Sequence, residues 1–215
     1  MPRVDLHTHS IASPDGALDA KDYAAMLASG KLNYIAVTDH DRIDFALKLR
    51  AELGPQIIVG EEITTRQGEI IGLYLRRKVP AGLSARETAE RIKQQGGLVY
   101  VPHPFETVRK GITLHNLSGI ADLVDIIETQ NGRALQNRGL QAAHWAEQQG
   151  VAQAASSDAH GKRGWGKTCS IIDGAPAAAN LAELLQTAQY DKRSVGIIGR
   201  LYPKLNRLRS SRRPD

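Results

Sequence analysis

Five of the seven histidines lie in four short motifs, three of which also carry aspartate. The motifs are DLHTHS at 5–10, TDHD at 38–41, PHP at 102–104 and SDAH at 157–160. Imidazole and carboxylate groups delivered from separate parts of a chain are the ligands that hard-to-borderline divalent metals prefer. The sequence therefore predicts a metal-dependent hydrolase.

The first motif has the spacing that one metal ion needs. His7 and His9 are two residues apart, and on an extended strand such residues point to the same face. The alternative is a pair of inward-facing histidines that only form hydrogen bonds. Asp158 and His160 repeat this spacing after a later strand.

Two pairs of adjacent polar residues can each send only one side chain into a site. From Asp39 and His40 we select His40, and we expect Asp39 and Asp41 to orient an imidazole. Of Glu61 and Glu62, one is expected to bridge two metals and the other to face solvent.

Two further residues are ambiguous from the sequence alone. His103 lies between two prolines that stiffen its loop, so that a ligand role and a structural role are equally favoured. Asp15, in Ser-Pro-Asp-Gly, reads by itself as an ordinary turn residue.

Cations follow two of the predicted strands. Arg163 and Lys167 lie among glycines just after His160, and Arg133 lies in Asn-Gly-Arg after Glu128. Arginine, lysine and backbone amides beside a metal suit an oxyanion such as phosphate, so we predict that these three cations bind substrate. The alternative is a flexible surface loop.

Strand-like and helix-like segments alternate about seven times, which predicts an α/β fold with a parallel sheet and crossover helices. Gln67-Gly68 predicts a hairpin, Asp19 predicts a helix start, and Ser84 with Glu87 predicts a capping box. The polar motifs fall where strands end, and sites assemble at the carboxyl ends of strands in α/β folds. A closed or distorted barrel explains their convergence better than an open sheet.

Composition places few further limits on function. The single cysteine, Cys169, excludes an internal disulfide, and no apolar run approaches the ~20 residues of a membrane span. With no signal-peptide pattern at the start, we expect a cytoplasmic protein. The net charge of +5 is concentrated in residues 200–215, which we expect to be a solvated, partly helical end, with a nucleic-acid contact as the alternative.

Six segments of the chain resemble the PHP family, named for polymerase and histidinol phosphatase. They are DLHTHS, AVTDHD, GEEIT, PHP, IIETQN and SSDAHG, in the family's order, and they span about three-quarters of the chain. The resemblance implies a distorted (β/α)7 barrel over residues 1–194, with a short basic C-terminal extension over 195–215. It also implies a site with two or three divalent ions (manganese, zinc or iron, with magnesium sometimes used).

The resemblance assigns nine ligands to three metal positions. The first position would be held by His7, His9, Glu62 and Asp158. The second would be held by Asp15, His40 and His160, and the third by Glu62, His103 and Glu128, with Glu62 bridging. One departure is that only about twenty residues separate His103 from the next strand, where nucleotide-directed relatives carry a helical insertion.

Three functions follow, of which a phosphoesterase is favoured. In it, a metal-activated hydroxide attacks the phosphorus of a phosphomonoester such as a nucleotide or sugar phosphate, and Asp158 or His160 protonates the leaving oxygen. The second is a nuclease or exonuclease whose basic tail binds nucleic acid. The third is a non-catalytic metal-bound scaffold, which the complete ligand set disfavours. The oligomeric state is not predicted.

Overall fold

The chain folds into a mixed α/β architecture, seen in a computed structural model that describes residues 1–134, 136, 138–193 and 196–210. The strands are β1 (Arg3–Asp5), β2 (Tyr34–Val37), β3 (Ile57–Thr65), β4 (Gly68–Leu73), β5 (Leu98–Val101), β6 (Ile126–Asn131), β7 (Ala152–Ser156), β8 (Thr168–Ile171) and β9 (Gln189–Lys192). The helices are α1 (Ala20–Ala28), α2 (Asp44–Leu53), α3 (Ala85–Lys93), α4 (Leu114–Ser118), α5 (Gly139–Gln149), α6 (Leu181–Gln186) and α7 (Gly196–Ser210).

All nine strands belong to one sheet, in the order β7-β6-β5-β4-β3-β2-β1-β8-β9. The sheet curls until β7 approaches β8, where the hydroxyl of Ser170 donates to the carbonyl of Ala155 at 3.1 Å and accepts from its amide at 2.9 Å. The result is a nearly closed, barrel-like sheet, as expected for a site built from strands far apart in the sequence.

The sheet departs from the parallel arrangement that we predicted. β1, β2 and β3 are mutually parallel, as are β5, β6 and β7. β4 is antiparallel to both its neighbours, because the predicted hairpin at Gln67-Gly68 reverses the chain, and β8 is antiparallel to β1. The count of seven βα units thus stays a prediction.

Alternate residues of several strands pack into two apolar layers. In β5, Tyr100 belongs to the inner cluster, whereas Val99 and Val101 belong to the outer one with the helices. In β3, Ile58 faces inward and lies four residues before Glu62. In β6, Ile126 faces inward and lies two residues before Glu128. Because the side-chain period of a strand is two, both acids continue the inner face.

The helices start and stop where the sequence predicts in several cases. Asp19 and Ser84 both form capping boxes, at α1 with Asp22 and at α3 with Glu87. Gly150 ends α5 in the left-handed region, with φ of 67°. The helix-like pattern of the sequence predicts a start at Ala134, but α5 begins at Gly139.

The basic tail forms a helix, α7, over Gly196–Ser210. The expectation of a solvated end fails at Asn206, which is buried against the rest of the chain. Arg212, Arg213 and Asp215 lie outside the described residues, and the division into residues 1–194 and 195–215 stays a prediction. Within the described ranges, no helix has the length and apolar character needed to cross a bilayer.

Candidate metal centre

Strand ends bring the predicted ligands to one face of the barrel. The side chains belong to β1, β2, β3, β5, β6 and β7, the strands of the two parallel groups, or to the loops after them. Glu62 and Glu128 lie within β3 and β6, and the others lie in the loops after β1, β2, β5 and β7. The full set is His7, His9, Asp15, His40, Glu62, His103, Glu128, Asp158 and His160. All are buried except His40, whose side chain is 23% exposed. The predicted convergence of the motifs is therefore observed.

His7 and His9 meet as their spacing predicts. Their Nε2 atoms are 3.1 Å apart, and Glu62 Oε2 lies 3.4 Å from the first and 3.2 Å from the second. Thr8 points to the opposite side, where its hydroxyl donates to the carbonyl of Ala36. Donor atoms bound to one zinc ion at about 2.1 Å lie roughly 3.4 Å apart, so this trio has the separation of a shared ligand set.

A second group surrounds Asp15. The rings of His40 and His160 lie 4.7 and 4.1 Å from the ring of His9. Asp15 Oδ1 is 3.7 Å from His160 Nε2, and Asp15 Oδ2 is 3.7 Å from His40 Nε2. One ligand atom from each of His9, Asp15, His40 and His160 lies within 4.8 Å of all the others. Asp15, a turn residue in isolation, thus joins the cluster.

The third side of the centre is formed by His103 and Asp158. His103 Nε2 lies 3.0 Å from Glu62 Oε1, and His7, His103 and Asp158 form another group with ligand atoms within 4.8 Å. Both His103 and Asp158 have positive φ, 28° and 53°, which is costly for residues other than glycine. Such backbone strain is concentrated at functional sites.

Glu128 lies beside the centre with its oxygens already engaged. Oε1 accepts from the Tyr100 hydroxyl at 2.8 Å and lies 3.3 Å from His7 Nδ1, while Oε2 accepts from the His103 amide at 2.7 Å. A carboxylate at Nδ1 directs the Nε2 lone pair of His7 towards a metal. The direct ligand role of Glu128 stays a prediction.

The electrostatics of the cluster favour added positive charge. Burial opposes charge on His7, but Asp158, Glu62 and Glu128 outweigh it and raise the pKa of His7 well above its usual value. Despite burial, Asp158 and Glu62 likewise raise the pKa of His9 to about 9. For His160, burial together with His9 and Arg133 lowers the pKa to about 3. Bound divalent ions would displace such protons and supply the same charge.

Two arginines hold Asp158. Arg133 Nη1 donates to Asp158 Oδ1 at 3.0 Å, and Arg109 donates to Asp158 Oδ2. Arg163 and Lys167 are exposed, and neither side chain forms a hydrogen bond or ion pair with a described residue of the cluster. The substrate-binding role of Arg133, Arg163 and Lys167 stays a prediction, but only Arg133 lies in the centre.

Glu69 and Arg109 also lie in the centre, and neither was predicted from the sequence. Glu69 lies on β4 with its carboxylate 4.0 Å from His40 Nδ1 and 3.9 Å from His103 Nε2, and it forms a possible metal-binding group with His40 and Glu62. The alternation of side chains along the predicted hairpin could have identified Glu69. Glu69 pairs with Thr64, and Thr64 lies two residues from Glu62 on β3, so all three share one face of the sheet. No sequence pattern marks Arg109.

Three acids have roles other than those predicted. Asp39 accepts from the Ser10 amide at 2.7 Å, and Asp41 accepts from the Thr64 amide at 2.7 Å, so both fix backbone segments rather than imidazoles. Glu61 does not face solvent: it is fully buried, its Oε2 accepts from the Val79 amide, and burial raises its pKa to about 7.

Curated relatives of this chain come from Methanocaldococcus jannaschii. The uncharacterized protein MJ1587 is 36% identical over 123 residues, covering 51% of this chain and 72% of the relative. The uncharacterized protein MJ0417 is 35% identical over 163 residues, covering 74% of this chain but only 65% of the relative. The chain belongs to the same family as MJ1587. No family model matches the chain.

Solved structures share the architecture. A two-domain protein of Bacteroides vulgatus that contains a predicted PHP-like metal-dependent phosphoesterase has a TM-score of 0.68 at 18% identity, over 89% of this chain and 65% of that one. PsfC of Pseudomonas syringae has a TM-score of 0.67 at 17% identity, over 98% and 99%. An amidohydrolase of Chromobacterium violaceum with bound sulfate has a TM-score of 0.58 at 17% identity, over 73% and 87%. At these identities the likeness establishes the fold.

Proposed function

Because this chain has the fold of the PHP-like phosphoesterases and belongs to the same family as MJ1587, we propose that it is a metal-dependent phosphoesterase acting on a small phosphomonoester. The observation that carries the proposal is the convergence of imidazole and carboxylate groups into four overlapping sets with ligand atoms within 4.8 Å. The donor set is rich in nitrogen and oxygen and contains no thiolate, which suits manganese, zinc or iron.

The residues fit two or three ions. His7, His9, Glu62 and Asp158 would hold one, and Asp15, His40 and His160 a second. Glu62, which reaches both imidazoles of the first motif as well as His103, would bridge to a third with His103 and Glu128. Bound divalent ions would supply an activated water and would neutralise charge on the phosphoryl oxygens.

The chain itself supplies anion recognition. Arg109 and Arg133 end beside Asp158, and guanidinium groups bind phosphoryl oxygens bidentately. Two arginines in the centre favour a phosphoester over a neutral amide as substrate. We propose that Asp158 or His160 delivers a proton to the leaving oxygen through a water that it orients, since neither holds a proton of its own: the pKa of Asp158 lies well below its usual value, and burial lowers the pKa of His160 to about 3.

A shallow cleft gives substrate a way to the centre. It is lined by His103, Glu106, Glu128, Asn131 and Arg138, among others. On the opposite side, residues near Asp15 and His160 are covered by α7. Because α7 covers one side of the centre, we favour a small phosphomonoester over a nucleic-acid strand. A nuclease is the second candidate, because α7 carries exposed basic residues.

Metal analysis combined with a substrate screen tests this proposal. We expect two or three ions per chain, and hydrolysis of phosphomonoesters in preference to oligonucleotides and to N-acyl amides. His9→Ala should reduce turnover to background with the fold intact, since His9 belongs to two of the candidate ligand groups. His144→Ala, on the exposed face of α5, is the control and should retain wild-type turnover. Wild-type rates in His9→Ala would refute the assignment.

A further inference from the structure

The C-terminal helix contacts the backbone of two predicted ligands. Asn206 of α7 is only 7% exposed, and its Nδ2 donates to the carbonyl of Asp15 at 2.8 Å and to the carbonyl of His160 at 3.0 Å. One buried amide therefore joins the loop after β1 to the loop after β7. Both loops supply ligands to the same group.

The neighbouring residue contacts a ligand side chain. Arg207 Nη2 donates to Asp15 Oδ2 at 2.7 Å. The other oxygen, Asp15 Oδ1, is buried without a hydrogen-bond partner and lies 3.7 Å from His160 Nε2. The carboxylate is thus held by one oxygen while the other points into the group formed with His9, His40 and His160.

A third contact seats the helix against the same loop. Tyr202 lies one turn before Asn206 and hence on the same face of α7. A Cβ built on Gly161 would lie 2.9 Å from the Tyr202 ring, so the ring packs directly on the backbone that follows His160. The position of α7 relative to the centre is therefore fixed by packing as well as by hydrogen bonds.

We propose that α7 helps to form the metal centre, because Asn206 and Arg207 act as positioning residues that hold Asp15 and His160 in place. The proposal rests on the metal-dependent function proposed above. Residues that hold a ligand through its second oxygen or its backbone fix its orientation, and their removal commonly lowers metal affinity 10–100-fold. The opposite possibility is that Arg207 competes with the metal for Asp15, in which case its removal would tighten binding.

Metal titration of the metal-free protein separates these cases. Competition with a chromophoric chelator, using manganese and then zinc, gives the affinity of each ion for the wild type, Arg207→Ala and Arg207→Lys. We expect Arg207→Ala to weaken one ion about 10–100-fold while the other sites keep wild-type affinity. Arg207→Lys should recover part of the loss because lysine keeps one charged donor.

Controls exclude a merely structural effect. Lys204→Ala removes a positive charge from an exposed position of the same helix and should leave all affinities unchanged. Metal-free Arg207→Ala should unfold at the wild-type temperature, because the Arg207 side chain is 66% exposed. Asn206→Ala, which unpairs two backbone carbonyls, should weaken the same ion as Arg207→Ala.

Two results would contradict the inference, and a third would contradict the proposed function as well. If Arg207→Ala binds every ion as the wild type does, or binds one more tightly, α7 does not position the ligands. If the wild type itself binds no metal, the proposed function fails and the inference fails with it.

Discussion

Several ligands of the centre are oriented by hydrogen-bonding partners, one of which, Glu128, is itself a predicted ligand. Glu128 fixes His7 through Nδ1, Ser13 lies 3.4 Å from His9 Nδ1, and Arg133 and Arg109 hold the carboxylate of Asp158. Partners of this kind restrict a side chain to one direction before any ion binds. The centre is therefore preorganised by contacts between loops that are distant in the sequence.

Arg109 shows how much such a partner can contribute to the free energy of unfolding. It lies between Glu106 and Asp158 with only 12% of its side chain exposed, and it donates to both carboxylates. Removing one member of a buried ion pair leaves uncompensated charge and costs about 3–5 kcal/mol. We expect Arg109→Ala to lower the free energy of unfolding of the metal-free protein by that amount in urea titrations.

A surface arginine provides the comparison. Arg86 pairs with Asp122 at 2.8 Å, but the two side chains are 47% and 61% exposed. Solvent screens an exposed pair such as this one, so Arg86→Ala should lower the free energy of unfolding far less than Arg109→Ala does. Equal losses for the two variants would show that the Arg109 pairs are not electrostatically significant.

The sequence predicted the side chains of the centre better than it predicted their partners. Residues such as His7 and His9 could be predicted because the strand period and the motif spacing fix the direction of their side chains. Arg109, by contrast, reaches Asp158 only because its loop folds back over β6, and no local pattern encodes that path. Asp39 was misassigned for the same reason, since its partner Ser10 lies in the distant loop after β1.

At the scale of elements, local signals were reliable where they involve neighbouring residues. Capping boxes and the hairpin at Gln67-Gly68 depend on contacts a few residues apart, and the structure contains them where they were expected. Strand direction and helix docking depend on the whole sheet. The antiparallel β8 and the docking of α7 through Asn206 were therefore not predictable from composition or periodicity.

The capping box of α3 gives a prediction at this scale. The Ser84 hydroxyl accepts from the Glu87 amide at 3.2 Å, and Glu87 Oε2 accepts from the Ser84 amide at 2.9 Å. Replacing a capping serine by alanine costs about 1 kcal/mol. Ser84→Ala should therefore lower the melting temperature by about 2–4 °C, the shift that 1 kcal/mol produces in a domain of this size.

Ser118→Ala is the matched control for this substitution. Ser118 is exposed at the end of α4, where its side chain makes no hydrogen bond to a described residue. The melting temperature of the Ser118→Ala variant should equal that of the wild type in the same calorimetric experiment. A Ser84→Ala variant that melts with this control would mean that the cap does not stabilise α3.

At the scale of the whole molecule, part of the positive charge of the basic tail lies beside the metal centre. Arg207 of α7 lies next to a cluster in which Glu62 and Asp158 have pKa values far below the usual range, because surrounding histidines and arginines outweigh burial. The net charge of +5 is therefore partly engaged at the centre through Arg207, rather than confined to a solvated appendage.

Metal loading should stabilise the entire fold, because the ligands come from six strands of one sheet or from the loops that follow them. A ligand that binds only the native state adds about 2.7 kcal/mol at a free concentration 100 times its Kd. We expect manganese or zinc to raise the melting temperature by several degrees, and EDTA to reverse the shift. His9→Ala should show a much smaller rise, since it lacks an imidazole shared by two ligand groups. Identical melting of metal-loaded and EDTA-treated wild type would mean that the ligands do not bind an ion together, and the segments that carry them would then be held by hydrogen bonds and packing alone.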